Sequence, residues 1–396
     1  MFSTRLPSSL ATNRLTEAIA RRRATAKPFI DLTLSNPTRA GFEYPRALLT
    51  PLADQRGLLY TPSAFGAIEA RRAVAGEFGR HGVEVSPERI VLTASSSDGY
   101  SMLFKALADA GDEVLIPRPS YPLFEHLTRL DSLMPKPYSL EYHGRWSIDF
   151  PSVERALSPR TRAILVVSPN NPTGSYVRRD EFDRLVALAR SRDLAIIADE
   201  VFADYELEPG SASAAARAAA PSPALTFAIG GLSKSAGLPQ VKLGWIAAGG
   251  PPLLVAAALE RLEHVADTYL SVSTPIQQAA PELLRAAAPV RAQIADRVRQ
   301  NYQQLKTDTA AVPSCTALPS EGGWYAILQV PTLEPEEDLA LRLLDAGVLA
   351  HPGYFFDFTR ESFLIVSLLA ERDAFRDGLS RILRHFACNV PADQHV

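Results

Sequence analysis

Short apolar segments alternate with helical patterns through the middle of the chain, and this alternation restricts the folds open to it. The apolar segments are nearly continuous, which is typical of strands covered on both faces. A repeated strand–helix–strand order predicts an α/β fold whose large sheet is mostly parallel and doubly wound. The apolar segments are 89–94, 112–117, 161–170, 194–202, 225–234 and 241–249, and the helical patterns include 97–110, 121–130 and 179–192.

The chain has 396 residues, too many for one ordinary hydrophobic core, so we expect two domains. The C-terminal part has an α+β pattern that differs from the middle of the chain. We predict a large domain over 46–290 and a smaller α+β domain built from both chain ends, 1–45 and 291–396. The C-terminal strand-like runs are 321–330 and 362–369, and the helical patterns there are 336–347 and 371–386.

Two stretches lie outside the alternation. Residues 208–224 are rich in Ala, Ser and Pro, a composition that predicts a surface excursion. A long helical stretch begins after Gln277 and continues towards Lys306.

The N-terminal segment is basic, and it is open to two interpretations. Its composition resembles a transit peptide, whereas its apolar residues Leu15, Ala18 and Ile19 fall on one face of a helix. Asn13 or Thr16 can cap that helix. We favour the amphipathic helix.

Charge and cysteine content narrow the classes of function. Lys plus Arg is 41 and Asp plus Glu is 44, so the formal net charge is −3. This balance gives no reason to expect binding to nucleic acid or to an anionic membrane, and no apolar run is long enough for a membrane span. Cys315 and Cys388 have no metal-ligand spacing, so we expect no metal site and a cytoplasmic location.

Lys234 lies in a run of small residues, "AIGGLSKSAGLPQVKLGW" (228–245), directly after an apolar segment. Such a loop lets a flat ligand approach closely and leaves the amine poorly solvated. Desolvation lowers a lysine pKa, which makes Lys234 a candidate nucleophile or Schiff-base former. The small residues around Lys234 are also compatible with a solvated surface turn.

Four further signals follow apolar segments. Asp199 lies near the end of the apolar segment 194–202, at the sheet edge where open α/β sheets bind ligands. Asn171 lies in a Pro-rich turn directly after the segment 161–170. Ser96 and Ser97 lie where a helical pattern begins, and backbone N–H groups and hydroxyls there can bind an anion. Tyr121 can stack on a planar ring. Taken singly, a helix cap, a turn or a core aromatic explains each of them.

The order of these five signals resembles that of the fold-type I pyridoxal-phosphate enzymes, and specifically of the class I and II aminotransferases. The resemblance extends from about Tyr60 to Ser367 and includes "GDEVLIPRPSY", "EGGWYAIL" and "GVLAHPGYFF". It implies an enzyme that uses pyridoxal 5′-phosphate to move an amino group between an amino acid or amine and a 2-oxo acid.

The resemblance also implies roles for individual residues. Lys234 forms the Schiff base with the cofactor and then moves the α-proton as base and acid. A homodimer with shared active sites is implied, in which Tyr60 and the loop 269–275 reach the neighbouring subunit. The residues implied to bind the cofactor are Asp199 at the ring nitrogen, Asn171 at the ring hydroxyl, Tyr121 on the ring face, and Ser96, Ser97, Ser233, Lys242 and Tyr60 at the phosphate.

Four positions depart from the family pattern. Gly231 replaces a serine three residues before the lysine, and Lys242 replaces an arginine eight residues after it. Phe202 stands where a tyrosine usually bonds the ring hydroxyl, while Tyr205 is expected on a different side. Ile365 occupies the place of the arginine that grips the substrate carboxylate.

The loss of that arginine leaves the substrate contacts open. Candidates are Asn36 and Arg39 in "LSNPTRAGF", and Arg360 five residues before Ile365. The same substitution keeps a pyridoxal-phosphate-dependent lyase, decarboxylase or oxidase as an alternative. A nicotinamide-dependent oxidoreductase is disfavoured because no G-x-G-x-x-G motif follows an apolar segment. A non-catalytic protein on the same scaffold is disfavoured because both Lys234 and Asp199 are present.

Overall fold

The computed structural model describes residues 2–7, 9, 11–360 and 362–387. Its strands are β1 Ile30–Asp31, β2 Ile90–Thr93, β3 Glu113–Arg118, β4 Met134–Tyr142, β5 Trp146–Ile148, β6 Thr161–Val167, β7 Ala195–Asp199, β8 Thr226–Gly231, β9 Gly244–Gly249, β10 Thr316–Ala317, β11 Tyr325–Gln329, β12 Val348–Leu349, β13 His351–Pro352 and β14 Phe363–Ser367. Its α-helices are α1 Arg14–Ala24, α2 Ile68–Arg80, α3 Ser96–Leu107, α4 Leu123–Leu130, α5 Phe150–Ala156, α6 Arg179–Arg192, α7 Leu232–Ser235, α8 Pro252–Tyr269, α9 Thr274–Ala286, α10 Ala288–Ala310, α11 Glu336–Asp345 and α12 Arg372–Ala387.

Eight strands form the large sheet in the order β2-β9-β8-β7-β6-β3-β4-β5. The neighbours from β8 to β4 pair in parallel. The flanking strands β9, β2 and β5 are antiparallel to their neighbours. The mostly parallel sheet expected from the sequence is therefore confirmed.

Helices cover both faces of this sheet. On one face, Ile164 and Ile196 belong to a core that also contains residues of α2, α6 and α9. On the other face, Leu165 and Ile197 pack in a core shared with α3, α4 and α8. Neighbouring residues of one strand thus enter different cores, which explains why the strand sequences are apolar throughout. The predicted double winding is confirmed.

The two chain ends meet in the smaller sheets. β1, near the N-terminus, pairs in parallel with β12, and β10, β11, β14 and β13 form an antiparallel sheet. α1 is capped by Asn13, whose side chain accepts from the Thr16 N–H, and its Leu15 is buried. The first helix is therefore confirmed, while the domain boundaries stay a prediction.

Helix α10 ties the smaller sheets to the rest of the chain. The Asn301 side-chain amide donates to the carbonyls of Leu368 and Ala370, at 2.9 Å and 2.8 Å. One turn earlier, the Arg297 guanidinium donates to the carbonyl of Ala40 at 3.3 Å. These bonds fix the segment after β14 and the N-terminal segment to one helix.

Two expectations need correction. The Ala/Ser/Pro-rich stretch is not a simple excursion, because Ala215, Ala218 and Ala219 are buried and the Ala218 carbonyl accepts from the Thr226 hydroxyl at 2.6 Å. Small side chains let this segment pack against β8. The stretch after Gln277 is two helices, since α9 ends before Ala287 and α10 begins after it.

The described part of the chain has no helix that combines the length and apolarity required to cross a bilayer. Cys315 is a buried free thiol, whereas Cys388 lies outside the described residues.

Candidate active site

The side chains singled out in the sequence follow adjacent strands of the large sheet. Tyr121 follows β3, Asn171 follows β6, Asp199 ends β7 and Lys234 follows β8. These strands are parallel, so their carboxyl ends meet at one edge. Such an edge is where open α/β sheets bind ligands. The structure therefore brings these four residues to one place.

The Asp199 carboxylate is buried and accepts a hydrogen bond on each oxygen. The Val201 N–H donates to Oδ1 at 3.0 Å, and the Tyr100 hydroxyl donates to Oδ2 at 2.8 Å. Burial raises the pKa of Asp199, while these two donors and the charge of Lys234 lower it. Each oxygen keeps a lone pair, so the carboxylate can accept from a protonated ring nitrogen.

The Lys234 amine lies against aromatic faces. Its Nζ is 5.3 Å from the centroid of the Trp324 ring and 5.9 Å from that of Phe202. Burial lowers the pKa of Lys234; the charge of Lys242 lowers it too, whereas Asp199 raises it. A lysine with a lowered pKa carries more neutral amine near neutral pH, which is the nucleophilic form.

The main chain around Lys234 is held by three donors. The Tyr205 hydroxyl donates to the Lys234 carbonyl, and Arg291 Nε donates to the Ser235 carbonyl at 2.6 Å. The Tyr44 hydroxyl donates to the Gly237 carbonyl at 2.7 Å. These residues form α7 and its end, a helical turn where the sequence suggested a loop. The backbone is thus anchored while the amine stays free.

An anion site is available where α3 begins. The Ser95 hydroxyl caps the helix by accepting from the Asp98 N–H at 3.1 Å, and Ser96 and Ser97 supply its first N–H groups. A Cβ on Gly244 would lie 2.9 Å from the Ser96 nitrogen, so only glycine lets β9 approach the helix this closely. Helix N-termini favour phosphate.

Lys242 lies two residues before Gly244 in an unusual backbone conformation. It is exposed, and its φ of 62° is in the left-handed region. A non-glycine residue there costs roughly 1–2 kcal/mol. Its charge lowers the pKa of Lys234, so the cation lies close enough to act on that amine.

Asn171 and Tyr121 border the same site. The Asn171 amide oxygen is buried and lacks a hydrogen-bond partner among the described residues. Asn170, beside it, donates to the Ser120 hydroxyl at 3.2 Å, which joins the turn to the segment before Tyr121. The Tyr121 ring is 39% exposed and contacts Phe124 edge to face, so a ring face is free for a ligand.

The residues on the expected substrate side are spread more widely. Ile365 is buried and pairs with Ile327 of β11, and the Ser367 hydroxyl bonds the carbonyl of Leu34. The Asn36 side chain caps a short turn by accepting from the Thr38 N–H at 3.0 Å.

The two arginines offered as carboxylate partners differ in their surroundings. Arg39 is exposed at the end of the turn Pro37–Arg39, three residues after Asn36. Arg360 lines a separate cavity of about 340 Å³ together with Trp146, Phe358 and Arg118. None of the residues described above at the sheet edge lines that cavity.

The sequence analysis assigned no role in the site to four residues that the structure places there: Tyr100, Tyr205, Trp324 and Arg291. Tyr100 follows Ser96 by one helical turn, a spacing that could have placed it beside the same sheet edge. Tyr205, for which the sequence predicts a different side from the ring hydroxyl, donates its own hydroxyl to the Lys234 main-chain carbonyl.

These groups fit pyridoxal 5′-phosphate. The start of α3 and Lys242 suit a phosphate, Asp199 suits a protonated ring nitrogen, and the unpartnered amide of Asn171 suits a ring hydroxyl. Lys234 supplies a desolvated amine. The phosphate, the ring and the aldehyde of the cofactor thus each have a partner.

Comparison with known proteins gives concordant results. The family described as aminotransferase class I and II matches residues 28–376. An alanine aminotransferase of Mycobacterium tuberculosis is 28% identical over 379 residues, 89% of this chain and 85% of that protein. A glutamate-pyruvate aminotransferase of Haemophilus influenzae is 27% identical over 354 residues, 86% of each.

Solved structures agree over almost the whole chain. An alanine aminotransferase from Pyrococcus furiosus superposes with a TM-score of 0.86 at 22% identity, covering 98% of this chain and 99% of that one. A single mutant of the Thermus thermophilus aspartate aminotransferase gives a TM-score of 0.80 at 25% identity, covering 97% and 99%.

The pKa of Lys234 should move in opposite directions when its two charged neighbours are neutralised. Lys242→Gln removes a repelling cation and raises this pKa, whereas Asp199→Asn removes an attracting anion and lowers it further. Competitive acetylation of the cofactor-free protein across pH, read by mass spectrometry of the Lys234 peptide, measures both shifts. Lys306→Gln, on α10, serves as the control and should change nothing. Shifts of the same sign in the two test variants would contradict the assignment.

Proposed function

The chain belongs to the class I and II aminotransferase family, and on that premise we propose that Lys234 is the residue that binds and reacts with its cofactor. The enzyme is a pyridoxal-phosphate-dependent aminotransferase. The proposal is supported chiefly by the desolvated Lys234 amine, which lies at the same sheet edge as Asp199 and Asn171.

The cofactor, when bound, withdraws electrons from the carbon that carries the amino group. The chain's own groups do the rest. Asp199 would hold the ring nitrogen protonated, Asn171 would bond the ring hydroxyl, and Tyr121 would cover a ring face. Ser96, Ser97, Ser233 and Lys242 would hold the phosphate.

Lys234 is also proposed to move the α-proton of the substrate. A general base needs a pKa near the working pH, and burial lowers the pKa of Lys234 in that direction. The bonds from Tyr205 and Arg291 to the main chain keep its backbone in place while the side chain exchanges the proton. The Phe202 and Trp324 rings lie beside the amine, at 5.9 Å and 5.3 Å from Nζ to the ring centroids.

We propose a small neutral amino acid, alanine, as donor and 2-oxoglutarate as acceptor. The similarity to an alanine aminotransferase of Mycobacterium tuberculosis and a glutamate-pyruvate aminotransferase of Haemophilus influenzae supports this pair.

Purified enzyme given alanine and 2-oxoglutarate should release pyruvate and glutamate in equal amounts. Lys234→Ala should lower the rate by roughly 10³-fold, the range expected for loss of a general base. Chromatography of both products measures the outcome, and Lys306→Gln provides an active control. Pyruvate or CO₂ formed without glutamate would instead indicate the lyase, decarboxylase or oxidase that Ile365 keeps as the alternative.

Arg39 is the proposed partner of the substrate carboxylate, with Asn36 beside it. The Ser367 hydroxyl holds Leu34 against the end of β14, two residues from Ile365, so the Asn36 turn lies near the position that lacks its arginine. Arg360 is less well placed because it lines the cavity beside Trp146.

Arg39→Gln should therefore raise the KM for alanine by about tenfold or more, since a charge-assisted hydrogen bond to carboxylate is lost. Arg360→Gln should leave KM within about twofold, because that guanidinium lies outside the site. Steady-state kinetics with both variants decide between the arginines. The reverse ranking would transfer the role to Arg360.

We further propose a homodimer with shared active sites. Leu58, Leu59 and Tyr60 are 82%, 71% and 65% exposed, and Leu270 is 70% exposed. The two segments are neighbours, because a Cβ on Gly57 would lie 3.4 Å from Pro275. Exposed apolar side chains thus lie on two neighbouring segments, and a second copy of the chain is their proposed cover.

Sedimentation should give a mass twice the 43.0 kDa of the chain. Leu59→Asp should shift the enzyme to monomer and remove most activity, because a buried unpaired charge opposes association. Leu253→Asp is the matched control: Leu253 is 86% exposed but begins α8, roughly 24 Å along the helix from Tyr269. An active monomeric wild type would overturn the proposal.

A further inference from the structure

The hydrogen bond from Tyr100 to Asp199 links two parts of the site that are far apart in sequence. The phenol is 2% exposed, and its oxygen lies 2.8 Å from Asp199 Oδ2. Phe104 and Phe124 pack around the ring, with centroids 6.0 Å and 5.4 Å away. This packing fixes the ring, so the hydroxyl has a defined position.

The Tyr100 hydroxyl and the Asp199 carboxylate are both buried, where a polar atom without a hydrogen-bond partner is destabilising. The carboxylate has the Val201 N–H on Oδ1 and the Tyr100 hydroxyl on Oδ2. Burial and the nearby Asp199 charge raise the pKa of Tyr100, so the phenol stays protonated and donates. Tyr100 is thus a permanent donor to a buried anion.

We propose that Tyr100 is a positioning residue that keeps Asp199 ionised and turned towards the ring nitrogen of the cofactor. This inference rests on the proposed role of Asp199. Because Tyr100 lies one turn after Ser96 on α3, a single helix then sets both the phosphate position and the partner of the ring nitrogen.

The direction of the effect follows from where the shared proton lies. A donor on Oδ2 stabilises the carboxylate, which leaves the proton on the ring nitrogen. Without the donor, the charged pair loses stability in the buried site, and the proton moves towards Asp199. The ring then withdraws electrons less strongly, so proton removal by Lys234 slows.

Tyr100→Phe tests this role, and Tyr138→Phe is its matched control. Tyr138 is also 2% exposed, and its hydroxyl donates to the Leu165 carbonyl at 2.9 Å. The charged group that acts on it is Glu181, which is not one of the residues assigned to the cofactor site. Both variants keep the ring and lose one buried hydrogen bond. General destabilisation should therefore be similar in the two proteins.

In the loaded enzyme, nitrogen-15 NMR of labelled pyridoxal phosphate reports the protonation of the ring nitrogen without turnover. We expect Tyr100→Phe to move this resonance towards the unprotonated position and to lower kcat by about tenfold, the loss of one bond to a charged group, with little change in KM. Tyr138→Phe should leave the resonance and kcat unchanged. An unchanged resonance in Tyr100→Phe overturns the proposal.

The cofactor-free protein provides a second arm that does not depend on the proposed reaction. The groups facing Asp199 are Tyr100, Tyr121, Lys234 and Glu200. Burial raises the pKa of Asp199, so stability falls as pH rises from the ordinary carboxyl value through the raised one. Loss of the Tyr100 donor raises the pKa of Asp199 further, so the decrease in stability continues to higher pH.

The Tm of Tyr100→Phe should therefore drop further below wild type as pH rises, whereas the deficit of Tyr138→Phe stays constant. A constant deficit in both variants overturns the inference. If wild type itself fails to bind pyridoxal phosphate, the proposed function is wrong, and the pH dependence still decides whether Tyr100 supports the charge of Asp199.

Discussion

The site depends on burying a carboxylate and an amine at the same edge of one sheet while giving each its own support. Burial disfavours the charged form of each group. It therefore raises the pKa of Asp199 and lowers the pKa of Lys234. Asp199 is sustained by a main-chain N–H and a phenol, whereas Lys234 faces aromatic rings. This unequal support leaves a carboxylate able to hold a cation and an amine able to react.

The fold supplies the geometry for this arrangement. Parallel strands bring the ends of β3, β6, β7 and β8 together, and the absence of a Cβ at Gly244 lets β9 reach the start of α3. Apolar cores on both faces make the sheet rigid beneath the site. Asn171, Asp199 and Lys234 therefore lie together at the edge where the parallel strands end.

The sequence predicted the parts of the molecule that are governed by local pattern. The strand–helix alternation, the first helix with Asn13 as one of its two candidate caps, and the order of strand-end residues follow from periodicity and residue type. It could not predict the donors to the Lys234 main chain, because Tyr44, Tyr205 and Arg291 come from distant segments. The burial of the alanines in 208–224 was not predicted either, because small residues are compatible with both an exposed loop and a close packing contact.

Helix α10 sets a fixed spacing between two ends of the molecule. Arg291 holds the carbonyl after Lys234, and Asn301, ten residues later, holds the segment that follows β14. Ten residues of α-helix span about 15 Å, and each residue turns the helix by about 100°. Insertion or deletion of one residue between them would rotate one donor away from its carbonyl. The number of residues between Arg291 and Asn301 is therefore fixed by the two hydrogen bonds, whereas the residue types between them are less constrained.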